Sequence, residues 1–422
     1  MEKINIETLE GCNLIPPYFT EEKWVPSLNF TEEIRSQMVI PKNIIIHDVT
    51  LRDGEQTAGI VFTEDEKVFI AKEFDRIGIP LIEVGTPAVS DSDKRAFKRL
   101  SEMNLKAKTI ALSRIKRKDV ELAIENKAGG IFLETSINPY FLKHVVGWDV
   151  SELIKRAVDC TKFAKDAGLF VEFCGWETFR VSNLDVIKRI YSEIVDKVEV
   201  DQIGISDTFG QAHPLAIQFL VRKMKEWIPD VPLSFHIHND FGLATGSALM
   251  AATSGAEAVE CAFNGLGERA GNLATEEIVA SFELLMGMNT GVNLKEIYRI
   301  SKVVEEISKL KIARTKPIVG DAVFDCESGI VVDANIKLEE KLGLKDSFFP
   351  YSPSVFNRES KFVGGKKSGR AFVRNILQKK GISATEEQII KILERVKETG
   401  IILKNVLTDQ EIDMIIREEL NR

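Results

Sequence analysis

The stretch Leu233-Ser-Phe-His-Ile-His-Asn-Asp240 carries two imidazoles, two residues apart, after a mostly apolar lead. Because side chains alternate along a strand, His236 and His238 would point to the same side of a strand formed here. The apolar lead is typical of a strand buried in a parallel sheet. Two neutral imidazoles at the end of such a strand suit a divalent metal. Two polar residues that only satisfy the end of a strand are the alternative interpretation.

Short apolar runs alternate with longer amphipathic stretches on both sides of this segment, across residues 43–288. Eight such runs, each followed by a helical pattern, predict an α/β protein of the (β/α)₈ TIM-barrel type. An open doubly wound sheet is the alternative, and it is weakened because no glycine-rich dinucleotide-binding turn follows the first run. The predicted strands are residues 44–47, 81–84, 108–112, 130–134, 170–173, 202–206, 233–238 and 258–264.

The pattern divides the chain into four predicted parts. Beyond the barrel we expect one helix at 293–310, mixed and irregular structure across 322–370, and helices at 371–380, 385–399 and 408–420. Thr385 and Thr408, each followed by acidic residues, mark two of these helix starts. The predicted parts are an N-terminal extension (1–42), a TIM-barrel catalytic domain (43–288), a linker and lid subdomain (289–370) and a mainly helical C-terminal subdomain (371–422).

The bulk composition excludes several classes of function. The formal net charge of −8 makes general binding to nucleic acid or to an anionic membrane unexpected. No apolar run approaches the length of a membrane span, and the first residues lack the apolar core of a signal peptide. The five cysteines contain no CxxC pair, which favours a reducing compartment and argues against a zinc–thiolate site. We therefore expect a cytoplasmic protein.

Polar residues recur after the predicted strands, at the face where barrel enzymes hold their sites. Three such stretches are DVTLRDGEQ at residues 48–56, HIHNDFGLA at 236–244 and NGLGERAGN at 264–272. Together they resemble the signature set of the isopropylmalate synthase and homocitrate synthase family of metal-dependent TIM-barrel acyltransferases. The similarity extends to GGKKSGRA at 364–371, and residues 54–62 are most similar to homocitrate synthases and Re-type citrate synthases.

The resemblance implies a metal site. Four residues match the metal positions of the family: Asp53, His236, His238 and Asn272. One carboxylate, two imidazoles and an amide oxygen leave room for a bidentate 2-oxo acid and a water molecule. Mg²⁺ or Mn²⁺ fits the oxygen ligands best, and the imidazoles also admit Zn²⁺ or Co²⁺.

The resemblance also implies a substrate pocket. Glu83 and Thr208 match family positions that line the 2-oxo acid pocket, and Gln56 lies near the same mouth. Thr178-Phe-Arg180 resembles a homocitrate synthase stretch in which a cationic or hydroxyl group suits a second carboxylate. Arg180 therefore favours a dicarboxylic 2-oxo acid over a branched aliphatic one.

The family reaction is a Claisen condensation with acetyl-CoA as co-substrate, giving a 2-hydroxy acid such as homocitrate or citrate plus CoA. Arg52 matches the residue that stabilises the developing oxyanion or enolate, and a structural pair with Asp53 or Glu55 is its alternative role. The C-terminal portion of family members usually swaps over the partner's barrel, which implies a homodimer. A lyase of the hydroxymethylglutaryl-CoA lyase or aldolase type, and a catalytically altered metabolite-binding relative, are the alternative functions.

The proton-transfer half of the family pattern is altered. The family motif SGIH reads Ser328-Gly-Ile-Val331 here, and valine cannot transfer a proton. Trp176 occupies the place of the glutamate expected after the fifth strand, and the expected tyrosine falls on Phe348. Glu177 and Tyr351, close to these two positions, are the predicted catalytic substitutes, and His144 is a further candidate. The alternative is that the reaction differs, as in a divergent member with an unusual substrate or stereochemistry.

Overall fold

The computed structural model describes residues 19–421 of the chain. Eight parallel strands close into a barrel, each pairing with its neighbours in sequence and the eighth pairing with the first. At the closure, Ile45 lies opposite Ala258 and His47 lies opposite Glu260. The predicted (β/α)₈ fold is therefore confirmed. The strands are β1 (Ile45–Asp48), β2 (Leu81–Gly85), β3 (Lys108–Arg114), β4 (Gly130–Ser136), β5 (Phe170–Trp176), β6 (Gln202–Asp207), β7 (Leu233–Ile237) and β8 (Ala258–Cys261).

Local capping fixes where helices begin and end. At the first helix after β1, the Thr63 hydroxyl accepts from the Glu66 amide while the Glu66 carboxylate accepts from the Thr63 amide. Gly78 ends that helix at φ 98°, a conformation that glycine adopts without strain. The helices of this part of the chain are α1 (Glu32–Arg35), α2 (Glu64–Ile77), α3 (Asp91–Ser101), α4 (Arg117–Glu125), α5 (Pro139–Phe141), α6 (Val150–Asp166), α7 (Leu184–Lys197), α8 (Pro214–Trp227), α9 (Ala244–Ala252), α10 (Thr275–Ala280) and α11 (Leu294–Ser308).

Two strands end earlier than predicted. Strand β8 stops at Cys261 because residues Phe263–Gly265 form a 3₁₀ turn in which Asn264 has φ 61°. Strand β7 stops at Ile237, so His238 lies one residue beyond it. Both endings place polar side chains on loops at the carboxyl-terminal face of the barrel, where such enzymes hold their sites.

The barrel interior contains both apolar and ionisable side chains. Leu81, Ile110, Leu112, Phe132 and Cys174 form an apolar cluster of buried side chains. Four ionisable side chains, from four different strands, are also fully buried. They are His47, Glu83, Glu172 and Glu260. Since buried charges are stable only when paired, these four side chains must compensate one another or their neighbours.

The chain forms two compact units, of which one comprises residues 29–312 and contains the barrel. The second unit combines residues 19–28 with 313–421. Residues 322–370 of this unit, predicted to be irregular, contain a 14-residue helix that packs Val332 against Phe372 and Val396 in an apolar core. The second unit contains α12 (Gly329–Leu342), α13 (Arg370–Lys379), α14 (Glu386–Leu403), α15 (Asp409–Leu420) and the short strands β9 (Asp325–Cys326) and β10 (Lys361–Phe362).

The starts predicted at Thr385 and Thr408 are both confirmed as capping boxes. No helix within residues 19–421 is long and apolar enough to cross a membrane.

Candidate metal and substrate site

Three potential metal ligands meet at the carboxyl-terminal face of the barrel. Asp53 follows β1, His236 lies on β7 and His238 lies just beyond β7. Asp53 Oδ2 is 3.8 Å from His236 Nε2 and 3.9 Å from His238 Nε2. One ligand atom from each residue lies within 4.8 Å of the other two, and all three side chains are buried. This spacing lets a single cation contact all three.

Asn272 completes the predicted set of four. Its Nδ2 donates to Asp53 Oδ1 at 3.0 Å and to the Leu266 carbonyl at 2.9 Å. The Asn272 Oδ1 and His238 Nδ1 atoms are buried and have no hydrogen-bond partner within the described part of the chain. Buried polar atoms are rarely left unpaired, so an unpaired oxygen beside a carboxylate and two imidazoles fits a site for a cation.

The electrostatics of these side chains suit a cation at neutral pH. Burial raises the pKa of Asp53, but the Arg52 guanidinium and the two imidazoles outweigh burial and hold that pKa at about 2. Burial and the neighbouring His236 lower the pKa of His238 to about 4. The carboxylate is therefore ionised and this imidazole is neutral, which are the forms that bind metals.

A buried carboxylate orients one of the imidazoles. His236 Nδ1 lies 3.0 Å from Glu260 Oε2, while Glu260 Oε1 accepts a hydrogen bond from the Ser234 hydroxyl at 3.1 Å. A hydrogen bond from Nδ1 to the carboxylate leaves Nε2 as the nitrogen that faces Asp53. Partners of this kind fix the tautomer and ring orientation of metal-binding histidines.

The loop that delivers Asn272 depends on a glycine. Gly267 has φ 153°, and a Cβ atom there would lie 2.2 Å from Asn272 Nδ2. We expect Gly267→Ala to displace Asn272 and to weaken Mn²⁺ binding by about 10-fold or more, as measured by isothermal titration.

The matched control is Gly246→Ala on α9, because an added Cβ at Gly246 meets no atom within 4 Å. This variant should keep the Mn²⁺ affinity and be more stable by about 0.5–1 kcal/mol, since alanine favours a helix over glycine. Equal metal affinity in the two variants would contradict the positioning of Asn272 by Gly267.

Arg52 connects the metal ligands to the interior. Its side chain is buried. The Arg52 Nη1 atom donates to Asp53 Oδ2 at 2.9 Å and to Gln56 Oε1 at 3.3 Å. The Arg52 Nε atom donates to Glu83 Oε2 at 2.5 Å. Burial disfavours its charge, but the carboxylates of Glu83 and Asp53 raise the pKa of Arg52 above its ordinary value. The predicted pair with Asp53 is thus present, and Glu83 holds the guanidinium in place from the opposite side.

A cavity of about 260 Å³ lies over these side chains. Thr208 contributes to its wall, and the Thr208 hydroxyl accepts from the Glu177 amide at 2.9 Å and lies 3.1 Å from the Ser206 hydroxyl. The lining residues include the predicted Arg52, Asp53, Gln56, Thr208, His236 and His238, together with Phe132, Glu134, Cys174, Trp176, Ser206, Phe209, Glu268 and Arg269.

One acidic lining residue that the sequence did not single out is Glu134, on β4. It lies inside an apolar run, two residues before the Ser136 end of the strand, and was assigned to the strand alone. Burial raises the pKa of Glu134 to about 7, and the Glu83 and Asp53 carboxylates also raise it while Arg52 lowers it. A carboxyl group inside an apolar strand of a barrel is the signal that would have indicated it.

Other predicted residues make different contacts. The Glu177 carboxylate accepts from the Ser136 hydroxyl at 2.8 Å and pairs with Arg180 at 3.3 Å. The Arg180 guanidinium also lies 3.3 Å from the centre of the Phe209 ring. Neither side chain is among the residues that line the cavity within the described chain. Their predicted roles in proton transfer and in binding a second carboxylate stay predictions.

The remaining acid–base candidates lie in other surroundings. Tyr351 belongs to the second unit, where its ring centre lies 5.8 Å from that of Phe324 and 5.4 Å from that of Phe356. His144 is exposed, with its ring 4.7 Å from the Tyr140 ring. Val331, the residue at the expected histidine position, packs against the apolar core of the second unit. The catalytic role of Tyr351 stays a prediction.

A closed parallel barrel with a carboxylate and two imidazoles meeting at the ends of its strands defines a class, the barrel enzymes that bind a divalent cation in their active sites. Residues 43–304 match the HMGL-like family model. The chain belongs to the HMGL-like family.

Curated relatives align over most of the chain. A protein of Archaeoglobus fulgidus named putative (R)-citramalate synthase CimA is 38% identical over 89% of this chain and 75% of its own length. Homocitrate synthase AksA of Methanothermobacter thermautotrophicus is 35% identical over 86% of this chain and 90% of its own. The 2-isopropylmalate synthase of Methanocaldococcus jannaschii is 34% identical over 91% of this chain and 73% of its own length. The predicted family is therefore confirmed.

Solved structures agree on the fold. The HMG-CoA lyase of Bacillus subtilis superposes with a TM-score of 0.57 at 20% identity, covering 64% of this chain and 96% of the lyase. The hydroxymethylglutaryl-CoA lyase of Pseudomonas aeruginosa superposes with a TM-score of 0.60 at 16% identity, covering 67% of this chain and 98% of the lyase. At such identities the likeness concerns the barrel fold alone.

Proposed function

We propose that this chain is an acyltransferase that condenses acetyl-CoA with a 2-oxo acid, releasing CoA and a 2-hydroxy acid such as homocitrate or citrate. The observation that carries the proposal is the meeting of Asp53, His236 and His238 beside the Arg52 guanidinium in one cavity. The names of the relatives, synthases of citramalate, homocitrate and isopropylmalate, support the same reaction type.

The residues of the chain suggest how the reaction is divided among them. Asp53, His236, His238 and Asn272 would hold a divalent cation, with Mg²⁺ or Mn²⁺ as our first choice and Zn²⁺ or Co²⁺ as alternatives. When bound, such a cation supplies Lewis-acid polarisation of the keto carbonyl. Arg52 presents a fixed positive charge in a buried setting, where it stabilises negative charge that develops on an oxygen in the transition state.

Proton transfer needs a group whose pKa lies near neutrality. Glu134 has a pKa of about 7 and lines the cavity, so we assign it to removal of a proton from the acetyl methyl group. Glu177 is the second candidate, although its carboxylate is engaged by Ser136 and Arg180. Tyr351, in the second unit, remains the candidate for returning a proton.

The substrate proposed here is a dicarboxylic 2-oxo acid. Its 2-oxo acid end would lie at the metal ligands, next to Thr208 and Gln56 in the wall of the cavity. Arg269 lines the same cavity and is held by Asp240, at 3.0 Å from its Nε. A second carboxylate can pair with this guanidinium, as arginine does with carboxylates elsewhere.

The test is release of free CoA from acetyl-CoA by the purified chain with Mn²⁺ and one acid at a time: 2-oxoglutarate, oxaloacetate, pyruvate or 2-oxoisovalerate. We expect metal-dependent release of thiol with a dicarboxylic acid, and a product whose mass equals that of the acid plus acetic acid, because water hydrolyses the thioester after the new carbon–carbon bond forms. No thiol with any acid would overturn the proposal. Formation of acetyl-CoA or an oxo acid from a hydroxyacyl-CoA would favour a lyase, and binding of metal and acid without turnover would favour a non-catalytic relative.

A homodimer in which the C-terminal portion serves the partner's site is proposed as well, in a cytoplasmic protein. Ile330 and Ile402 in the second unit leave 85% and 79% of their surfaces exposed, which suits contact with a further protein surface. Light scattering coupled to gel filtration should give twice the chain mass. A monomer that is fully active would overturn this part.

We expect Arg52→Lys to lower kcat by about 10²-fold, because lysine keeps the charge but loses the fork that reaches Glu83, Asp53 and Gln56 together. Steady-state kinetics and Mn²⁺ titration should show a larger loss in kcat than in metal affinity. Arg76→Lys, on the exposed face of α2 beside Glu73, is the control and should change neither quantity. An unchanged kcat in Arg52→Lys would mean that a point charge suffices.

A further inference from the structure

His47 is a buried histidine that the reaction outlined above does not use. It lies on β1 inside the barrel and is fully buried. Its two ring nitrogens face two different carboxylates: Nδ1 is 3.2 Å from Glu172 Oε2, and Nε2 is 3.5 Å from Glu83 Oε1. His47 therefore lies between two acidic side chains from β2 and β5.

This geometry selects one protonation state. A neutral imidazole carries one N–H group and one lone pair, so with both carboxylates ionised a lone pair would face a carboxylate oxygen in either tautomer. Only the imidazolium ion has a proton on both nitrogens. Both oxygens of Glu172 and Oε1 of Glu83 have no conventional hydrogen-bond partner among the described residues. His47 presents one ring nitrogen to each of these two carboxylates.

The charges around His47 point the same way. Burial lowers the pKa of His47, but the carboxylates of Glu172, Glu83 and Glu260 raise it more, to about 9. Gly204 leaves room for this arrangement, because a Cβ atom there would lie 2.9 Å from Glu172 Oε1. Without a cation at this place, the barrel would enclose carboxylates that lack compensation, which is strongly destabilising.

The carboxylates next to His47 also contact the site. Glu83 uses its other oxygen to accept from Arg52 Nε at 2.5 Å. Glu260, whose carboxylate has an oxygen within 4.8 Å of ligand atoms of both His47 and Glu172, faces His236 Nδ1 at 3.0 Å. The His47 imidazole is thus close to two carboxylates that contact the site: Glu83 contacts Arg52, and Glu260 contacts His236.

We propose that His47, as an imidazolium ion, is a positioning residue that holds the Glu83 carboxylate toward Arg52 and the Glu260 carboxylate toward His236. This inference deepens the proposed function and rests on it for the effect on turnover. The protonation of His47 and its effect on metal affinity do not require turnover.

The first experiment determines the protonation state. The chain has five histidines, so the imidazole nitrogen spectrum of isotope-labelled, metal-free protein can be assigned for His47 by comparison with His47→Gln. We expect both nitrogens to be protonated at neutral pH. A neutral-imidazole pattern would overturn the proposal.

The second experiment tests the positioning role. His47→Gln removes the cation, and we expect Mn²⁺ affinity and kcat to fall by about 10- to 100-fold, as for other partners of metal ligands. His47→Gln combined with Glu172→Gln removes one cation and one carboxylate together, so both quantities should recover to within a few-fold of the starting protein. A residue that only filled space would not be rescued in this way, because the second change would add a further loss.

Three other outcomes are decisive. Metal analysis that finds two tightly bound ions per chain, with one lost in His47→Gln, would overturn the proposal by placing a second metal at His47, Glu172 and Glu260. An unchanged Mn²⁺ affinity in His47→Gln would also overturn it. If the unaltered chain releases no CoA but His47 is protonated and its loss weakens Mn²⁺ binding, the proposed function fails while the positioning role stands.

Discussion

Replacement of Asp53 by asparagine is expected to abolish tight Mn²⁺ binding and to lower turnover by about 10³-fold or more. Asp53 is the one carboxylate among the four predicted ligands, and its Oδ2 lies within 4 Å of both imidazoles. Asparagine keeps the shape and an acceptor for Asn272 Nδ2 but removes the charge that attracts a cation. Lewis-acid help from a metal is worth several kcal/mol, which corresponds to the stated loss. Isothermal titration with Mn²⁺ and the CoA-release assay measure the two effects.

The control for this variant is Asp65→Asn on α2. The Asp65 carboxylate pairs with Arg99, and 86% of the Asp65 side chain is exposed. Exposed pairs contribute little, so this control should behave as the starting protein. Circular dichroism should show that Asp53→Asn keeps its fold. Retention of both Mn²⁺ binding and turnover in folded Asp53→Asn would rule out the metal site described here.

Glu134→Gln is expected to lower kcat by about 10²–10⁴-fold, the usual contribution of general acid–base catalysis. Glutamine has the shape of glutamate but cannot take up a proton. Because Glu134 lines the cavity without being one of the four proposed ligands, Mn²⁺ affinity should change far less than kcat. Steady-state kinetics and metal titration on the same preparation separate the two quantities.

The pH dependence of kcat gives a second check on Glu134. A base must be ionised to act, and the Glu134 pKa is raised to about 7, chiefly by burial. The rate should therefore rise as the pH increases through about 7 and level off above it, and this limb should disappear in Glu134→Gln. Glu125→Gln, at the exposed end of α4, is the matched control. A Glu134→Gln variant with the original profile would transfer the role to Glu177 or Tyr351.

The sequence predicted the barrel because each strand–helix unit has a hydrophobic pattern that can be recognised within its own residues. All eight predicted strands are present, since short apolar runs and longer runs of helical period can both be recognised within a few residues. Helix α12 was missed, because Gly329, Ile330 and Val331 at its start do not favour a helix and its burial against Phe372 depends on distant residues.

The four predicted metal ligands came from the family resemblance. Asp53, His236, His238 and Asn272 match the metal positions of the family, and the carboxyl-terminal face of a barrel is where such sites lie. Strand ends alone did not decide where the longer side chains point. Arg180 follows β5 as predicted, yet it lies over the Phe209 ring and pairs with Glu177.

The sequence by itself thus determined the class of fold, because that class depends on local periodicity, and the resemblance of its motifs to a family implied the metal ligands. Only the tertiary structure decided that His47 lies between Glu83 and Glu172, and that Glu260 supports His236. Each of these residues is a single ionisable group inside an apolar strand. The alternation of side chains tells which of them face inward, but which ones meet depends on the stagger of eight strands when the barrel closes.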